Sequence, residues 1–247
     1  MKKLIWIGSS YKDFMEFPPP VRGAVGYALY YAQEGRKHEH TKTLSGMGSA
    51  GVVEIRENAP SGTYRVVYTV EMEGVIFVLH AFQKKSKSGI ATPKQELELL
   101  KARIKEAKAL YKKVQEGRYA MSTKKLTKKS IDGIEYTEGS NNIFADIGIP
   151  NPEEAMAKAQ VAMKIGDTIK KKKLTQAKAA KILKISQPKV SLLLRGYLTD
   201  FSLERLLRFL NDLGQDVCIS ITPASHGHGS TWVGNSPSGK RIATLGR

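Results

Sequence analysis

The sequence predicts two consecutive domains: a small α+β domain on an antiparallel sheet, then an all-helical domain closed by one terminal strand. Three observations predict this. Up to Gly117, short apolar runs of strand length alternate with two segments of helical period. From Arg118 to about Asn151 that periodicity stops. Beyond Asn151 helical pattern returns in short segments to Leu213, and DVCISIT (Asp216–Thr222) alternates like a strand.

KLIWIG (Lys3–Gly8) is an apolar run that predicts a buried strand. PPPVRGAVGYALYYAQEG follows, with Val21, Val25, Leu29 and Tyr30 at helical spacing and Gly35 as a stop. Three strands come next: GVVEIRE (Gly51–Glu57), TYRVVYTVE (Thr63–Glu71) and VIFVLHAFQ (Val75–Gln83). Pro60-Ser61-Gly62 and Glu73-Gly74 punctuate them as turns, which predicts an antiparallel meander. After Pro93, Leu97, Leu100, Ile104, Ala107 and Tyr111 make one apolar stripe of a helix that Gly117 ends.

Residues 118–150 read as a linker and neutralising segment, with Ile143, Phe144, Ile147 and Ile149 able to dock, in cis or across a dimer, on the first domain and inhibit it. Asn151-Pro152-Glu153-Glu154 is a helix start: Asn caps, Pro suits the first position, and acids favour the positive end of the dipole. The expected boundaries are therefore 1–117, 118–150 and 151–222, with a Gly/Ser-rich tail over 223–247. Met121, followed by Ser-Thr-Lys-Lys, resembles the initiator of a separate reading frame.

Forty Lys and Arg against 23 Asp and Glu give a net charge of +17. Both halves carry the excess: 20 basic against 12 acidic residues to Ala120, and 20 against 11 beyond. Such a balance favours a polyanionic partner through counterion release, the alternative being a merely solvated basic surface. The single Cys218 excludes an internal disulfide and a cysteine-rich metal site. No apolar run approaches the roughly 20 residues that span a bilayer, and the apolar start is too short for a signal peptide. No membrane partner and a cytoplasmic location are expected. His226 and His228 lack partners at ligand spacing, so no metal and no cofactor is expected.

LTQAKAAKILKISQPKVSLLLRG (Leu174–Gly196) is the most specific stretch. Thr175 caps a first helix, Lys184-Ile185 turn, and Ser186 caps a second helix whose Val190, Leu193 and Leu194 face inward. Gln187, Ser191 and Arg195 then form an outward stripe, the arrangement of a helix-turn-helix reading a DNA groove. Gln and Arg can contact adenine and guanine edges bidentately. The candidate DNA-binding residues are Gln176, Ser186, Gln187, Lys189, Ser191 and Arg195, with the Lys170–Lys173 run near phosphates or simply solvated. The stretch resembles the lambda-repressor-like, XRE-type family through Thr175, Gln176, Ala180, Ile185, Ser186, Gln187, Val190 and Ser191. It departs from that pattern at Lys184, where a turn glycine is common. The resemblance implies a homodimer on operator DNA, and the terminal strand is able to pair across it.

In the first domain, period two puts His80, Phe82 and Lys84 on one sheet face. Glu54 and Arg56 share a face, and Arg65 joins them if register permits. An aromatic interleaved with His, Lys and Arg is how a protein stacks a base while holding phosphates. GVVEIRE, TYRVVYTV and VLHAFQKKSKSGIATP together resemble the RelE/HigB-like toxins, of the phage-derived killer subfamily. That resemblance implies a RelE-like fold and a metal-independent, ribosome-dependent mRNA endoribonuclease. Its reaction needs a base for the attacking 2′-hydroxyl, cations for the phosphorane charge and an acid for the leaving oxygen. The candidate catalytic residues are His80, Arg56, Arg65 and Lys84; Phe82, Lys85 and Lys87 are candidates for RNA binding. His80 as a hydrogen-bonded sheet residue and Arg65 as an ion-pair partner of Glu54 or Glu71 are the open alternatives.

A toxin preceding a HigA-like, XRE-type antitoxin predicts a toxin–antitoxin module in one chain, with contact between the two in cis or in trans. A transcriptional regulator with a catalytically inactive first domain is the alternative.

Overall fold

The computed structural model describes residues 1–44, 51–84, 94–117 and 125–221, together with 223, 231 and 233. The chain divides into two compact units, Met1–Pro152 with Arg195–Thr199, and Glu153–Leu194 with the remainder from Asp200.

The first unit is a seven-stranded sheet between helices. Its elements run β1 (Lys3–Ile7), α1 (Ser10–Met15), α2 (Pro19–Gln33), β2 (Thr41–Thr43), β3 (Val52–Ala59), β4 (Gly62–Thr69), β5 (Val75–Lys84), α3 (Lys94–Gln115), β6 (Thr127–Ile131), β7 (Ile134–Glu138) and α4 (Ile143–Asp146). The strand order is β2-β3-β4-β5-β1-β7-β6. Only β1 and β5 pair in parallel; all other neighbours are antiparallel. The expected β3-β4-β5 meander is present, joined by the two-residue Pro60-Ser61 connection between paired Ala59 and Gly62.

Successive β1 residues face opposite ways. Ile5 and Ile7 join Phe77, Val67, Leu100, Ile104, Leu110 and Tyr136 in one core under α3. Trp6 faces the other side, where its ring lies 5.0 Å from Phe14 of α1. Phe14 then reaches Phe17, whose ring is 4.8 Å from Tyr64. On that side α2 begins with prolines at its first positions and ends at Gly35, whose φ of 73° a side chain would oppose. There the Gly35 and Arg36 amides donate to the Ala32 and Tyr31 carbonyls, closing the helix end.

Two elements differ from the sequence reading. The stretch expected to link the domains instead holds the β6–β7 hairpin and α4, and clusters with the first unit as far as Pro152. Asp132 and Gly133 both take positive φ, 49° and 78°, as a two-residue hairpin turn requires. The expected C-terminal strand is also absent: residues 216–221 lie in no strand, and Ile219 and Ile221 are 71% and 92% exposed. An alternating segment becomes a strand only when an edge pairs with it.

The second unit is helical, with α5 (Pro152–Lys171), α6 (Gln176–Leu183), α7 (Gln187–Arg195) and α8 (Leu203–Asp212). α5 carries Glu153 and Glu154 in its first turn, as expected. Asn151 takes a φ of 49°. The capping asparagine is Asn142, whose Oδ1 accepts from the amides of Phe144 and Ala145 at the start of α4.

Candidate nucleic-acid interfaces

Register decides which first-unit side chains meet. Arg56 pairs with Arg65 across β3 and β4, and Arg65 with Phe82 across β4 and β5. Glu54 stands opposite Val67, which stands opposite His80. Glu54, Arg56, Arg65, His80 and Phe82 therefore share one face, the face α3 packs on, with Lys84 at the end opposite Thr63. Between Val67 and Tyr68 the register shifts, so β5 spends two steps, His80 to Val78, against one on β4. This bulge lets Leu79 enter the core while His80 keeps the polar face.

Glu54 organises the arginines. It is buried, and its carboxylate accepts from Arg65 Nη1 at 2.9 Å and Arg56 Nη2 at 3.1 Å. Arg65 is only 5% exposed, whereas the Arg56 side chain is 44% exposed and able to meet an outside phosphate.

His80 has both ring nitrogens engaged. Arg103 Nη1 lies 3.1 Å from Nδ1, and a guanidinium can only donate, so Nδ1 accepts. The proton assigned to Nε2 is then donated to the Glu96 carboxylate. Burial pushes the His80 imidazole below its ordinary value; Glu96 and Asp13 oppose that shift and the Arg103 charge adds to it. Phe82 stacks on this imidazole at 4.8 Å and is half-buried, one ring able to stack a base.

Arg103 is the residue the sequence reading missed. It donates to the Leu79 carbonyl at 2.9 Å and to Ser9 Oγ at 2.6 Å, while Ser9 donates to Asp13 at 2.7 Å. Burial pushes the Arg103 guanidinium below its ordinary value, and the carboxylates of Asp13, Glu106 and Glu96 work against that. The available signal was Glu96 and Arg103, seven apart and hence on one side of α3. Lys85 and Lys87 lie outside the described residues.

In the second unit Thr175 caps α6, its hydroxyl accepting from the Lys178 amide at 3.2 Å. Lys184 ends the helix in a left-handed conformation, φ 52°. Gln187 Nε2 donates to Gln176 Oε1 at 2.6 Å, tying the starts of α6 and α7 together. Val190 and Leu193 are buried; Ser186, Gln187 and Lys189 are exposed, and Ser191 half so. The expected helix-turn-helix is therefore formed. Arg195 clusters with Tyr197 in the first unit, where both donate to the buried Glu57 carboxylate, Tyr197 at 2.9 Å. Among the described residues no group of three or more His, Cys, Asp or Glu could hold a metal ion, and no helix is long and apolar enough to cross a membrane.

The first unit thus gathers arginines, a histidine and an aromatic ring on one sheet face, and the second forms a helix-turn-helix. Residues 12–105 match the family described as phage derived protein, Gp49-like. Residues 143–222 match a helix-turn-helix domain. A solved structure titled "Putative XRE Family Transcriptional Regulator" is 39% identical and is covered over 100% of its length by 35% of this chain, with a TM-score of 0.32. No protein of curated function matches. The chain carries a Gp49-like phage-derived domain followed by a DNA-binding helix-turn-helix domain.

Proposed function

We propose that the chain is a type II toxin–antitoxin module in one polypeptide. The first unit is a metal-independent mRNA endoribonuclease that acts on the ribosome. The second is a DNA-binding antitoxin that neutralises it and represses its own promoter in the cytoplasm. The observation that carries this reading is the pairing of the two family matches, Gp49-like then helix-turn-helix, on one chain.

The residues support a division of labour. Arg56 offers an exposed guanidinium to a phosphate and Arg65 backs it with fixed charge, which suits the charge that develops when a 2′-hydroxyl attacks. Phe82 stacks a base, and Lys84, with Lys85 and Lys87 beyond it, follows the backbone. His80 exchanges a proton with substrate only after releasing Glu96 or Arg103. On DNA, Gln187 and Ser191 read bases while Gln176, Ser186 and Lys189 hold the phosphates, with Arg195 reaching a base once freed from Glu57. A homodimer forms through the second unit, the exposed Ile219 and Ile221 supplying a strand for a partner copy.

One observation favours a second reading, a regulator with an inactive first domain: both arginines are already paired with Glu54 and both His80 nitrogens are occupied. Expression of residues 1–152 in bacteria separates the two. Growth arrest relieved by Arg56→Ala supports the nuclease; growth unaffected by either form supports the regulator.

A further inference from the structure

The β6–β7 hairpin and α4 fall between and across the family boundaries. The Gp49-like match ends at residue 105 and the helix-turn-helix match begins at 143, yet everything as far as Pro152 clusters with the first unit. The opening turn of the helix-turn-helix match is thus packed on the first unit's own α2.

The packing is extensive and specific. β7 runs along the edge of β1 with Ile5 opposite Glu138, Trp6 opposite Thr137 and Ile7 opposite Tyr136. Gly8 and Gly139 add flanking backbone hydrogen bonds to Glu135 and Leu4, both 2.8 Å. Tyr136 enters the core with Ile5, Ile7 and Ile104. In α4 and the turn after it, Ile143, Phe144 and Ile147 are buried. Ile147 Cδ1 lies 2.5 Å from where a Cβ on Gly26 would stand, so any larger residue there must displace the tip of this side chain. Two polar latches close over it: Tyr11 donates to the Asp146 carbonyl at 2.7 Å, and Arg22 Nη1 to the Ile147 carbonyl at 3.2 Å. An ion pair between Lys113 and Asp132 joins the hairpin turn to α3.

We propose that residues 125–152 are a self-sufficient docking element. The β1 edge and the Gly26 notch of α2 form an interaction surface whose partner is the apolar hairpin-and-turn segment leading into the helix-turn-helix. The covalent connection through residues 118–124 is then dispensable for holding the chain's two parts together. The element anchors rather than occludes. β7 is separated from β5 by β1, and α4 packs on α2, across the sheet from Arg56, Arg65 and His80. The inference stands whether or not the first unit cuts RNA, because its readout is association.

The test is a full chain with a protease recognition sequence placed within residues 118–124, cut after folding and run on gel filtration at micromolar concentration. The two fragments are expected to co-elute one to one. Ile147→Ala, which leaves a hole at the notch, and Gly26→Val, which fills it, are each expected to weaken the association roughly a hundredfold, so that cut fragments separate. Circular dichroism of the uncut variants reports whether they fold; if Gly26→Val does not, Ile147→Ala decides. Separation of the unsubstituted fragments would overturn the proposal, as would co-elution unchanged by Ile147→Ala.

Discussion

Lys184 carries a small, measurable strain. It sits at the end of α6 with φ 52°, a conformation that glycine adopts freely and a β-carbon opposes. Lys184→Gly is expected to stabilise the second unit by about 1 kcal/mol, read as a raised thermal midpoint. Glu54 is the converse case, since Arg65 lies buried against it. Glu54→Ala strands that guanidinium without its carboxylate and is expected to lower stability by about 3 kcal/mol in a denaturant titration. For His80 the folded imidazole is held below its ordinary value, chiefly by burial. The unfolded chain therefore binds the proton first, and this contribution to stability, fully present above about pH 6.5, is lost progressively as pH falls from there through the lower folded value. His40 is shifted in the same direction, also by burial, so the slope needs a comparison. Between pH 7 and 5 the stability of His80→Gln is expected to fall less steeply than that of the unsubstituted chain; equal slopes would contradict the assignment.

At the scale of elements, four strands and the two long helices of the first unit were legible because their apolar periodicity is strong. The β6–β7 hairpin was not. β6 reads TKKSI, an edge strand with little to bury, and Tyr136 of β7 enters the core from a strand whose only other apolar residue is the half-buried Ile134. The Asp132-Gly133 pair was the legible signal, and it carried more information than the missing hydrophobic pattern. Gly133→Val, at φ 78°, is expected to destabilise that hairpin by about 1 kcal/mol, seen as faster amide exchange over residues 127–138. DVCISIT shows the opposite error: its alternation is right, but no strand edge pairs with it. The candidate site was half legible. Period two placed His80, Phe82 and Lys84, while the union of Arg56, Arg65 and Phe82 depends on register, and Arg103 arrives from a helix distant in sequence. Sequence spacing carries no information about such cross-element contacts.

For the whole molecule, the basic balance of +17 is shared by both halves, which is what the proposed RNA and DNA partners require. The expected seam near Met121 is displaced, because residues 125–152 belong to the first unit. Removing them exposes the β1 edge, so residues 1–152 rather than 1–117 are the piece to isolate. The central claim is that this piece cuts messenger RNA during translation and that the full chain does not. Mapping the 5′ ends of a reporter message in a cell-free translation reaction tests it directly. New ends within translated codons are expected with residues 1–152, lost with Arg56→Ala and absent with the full chain. An intact message in the presence of folded residues 1–152 would contradict the account.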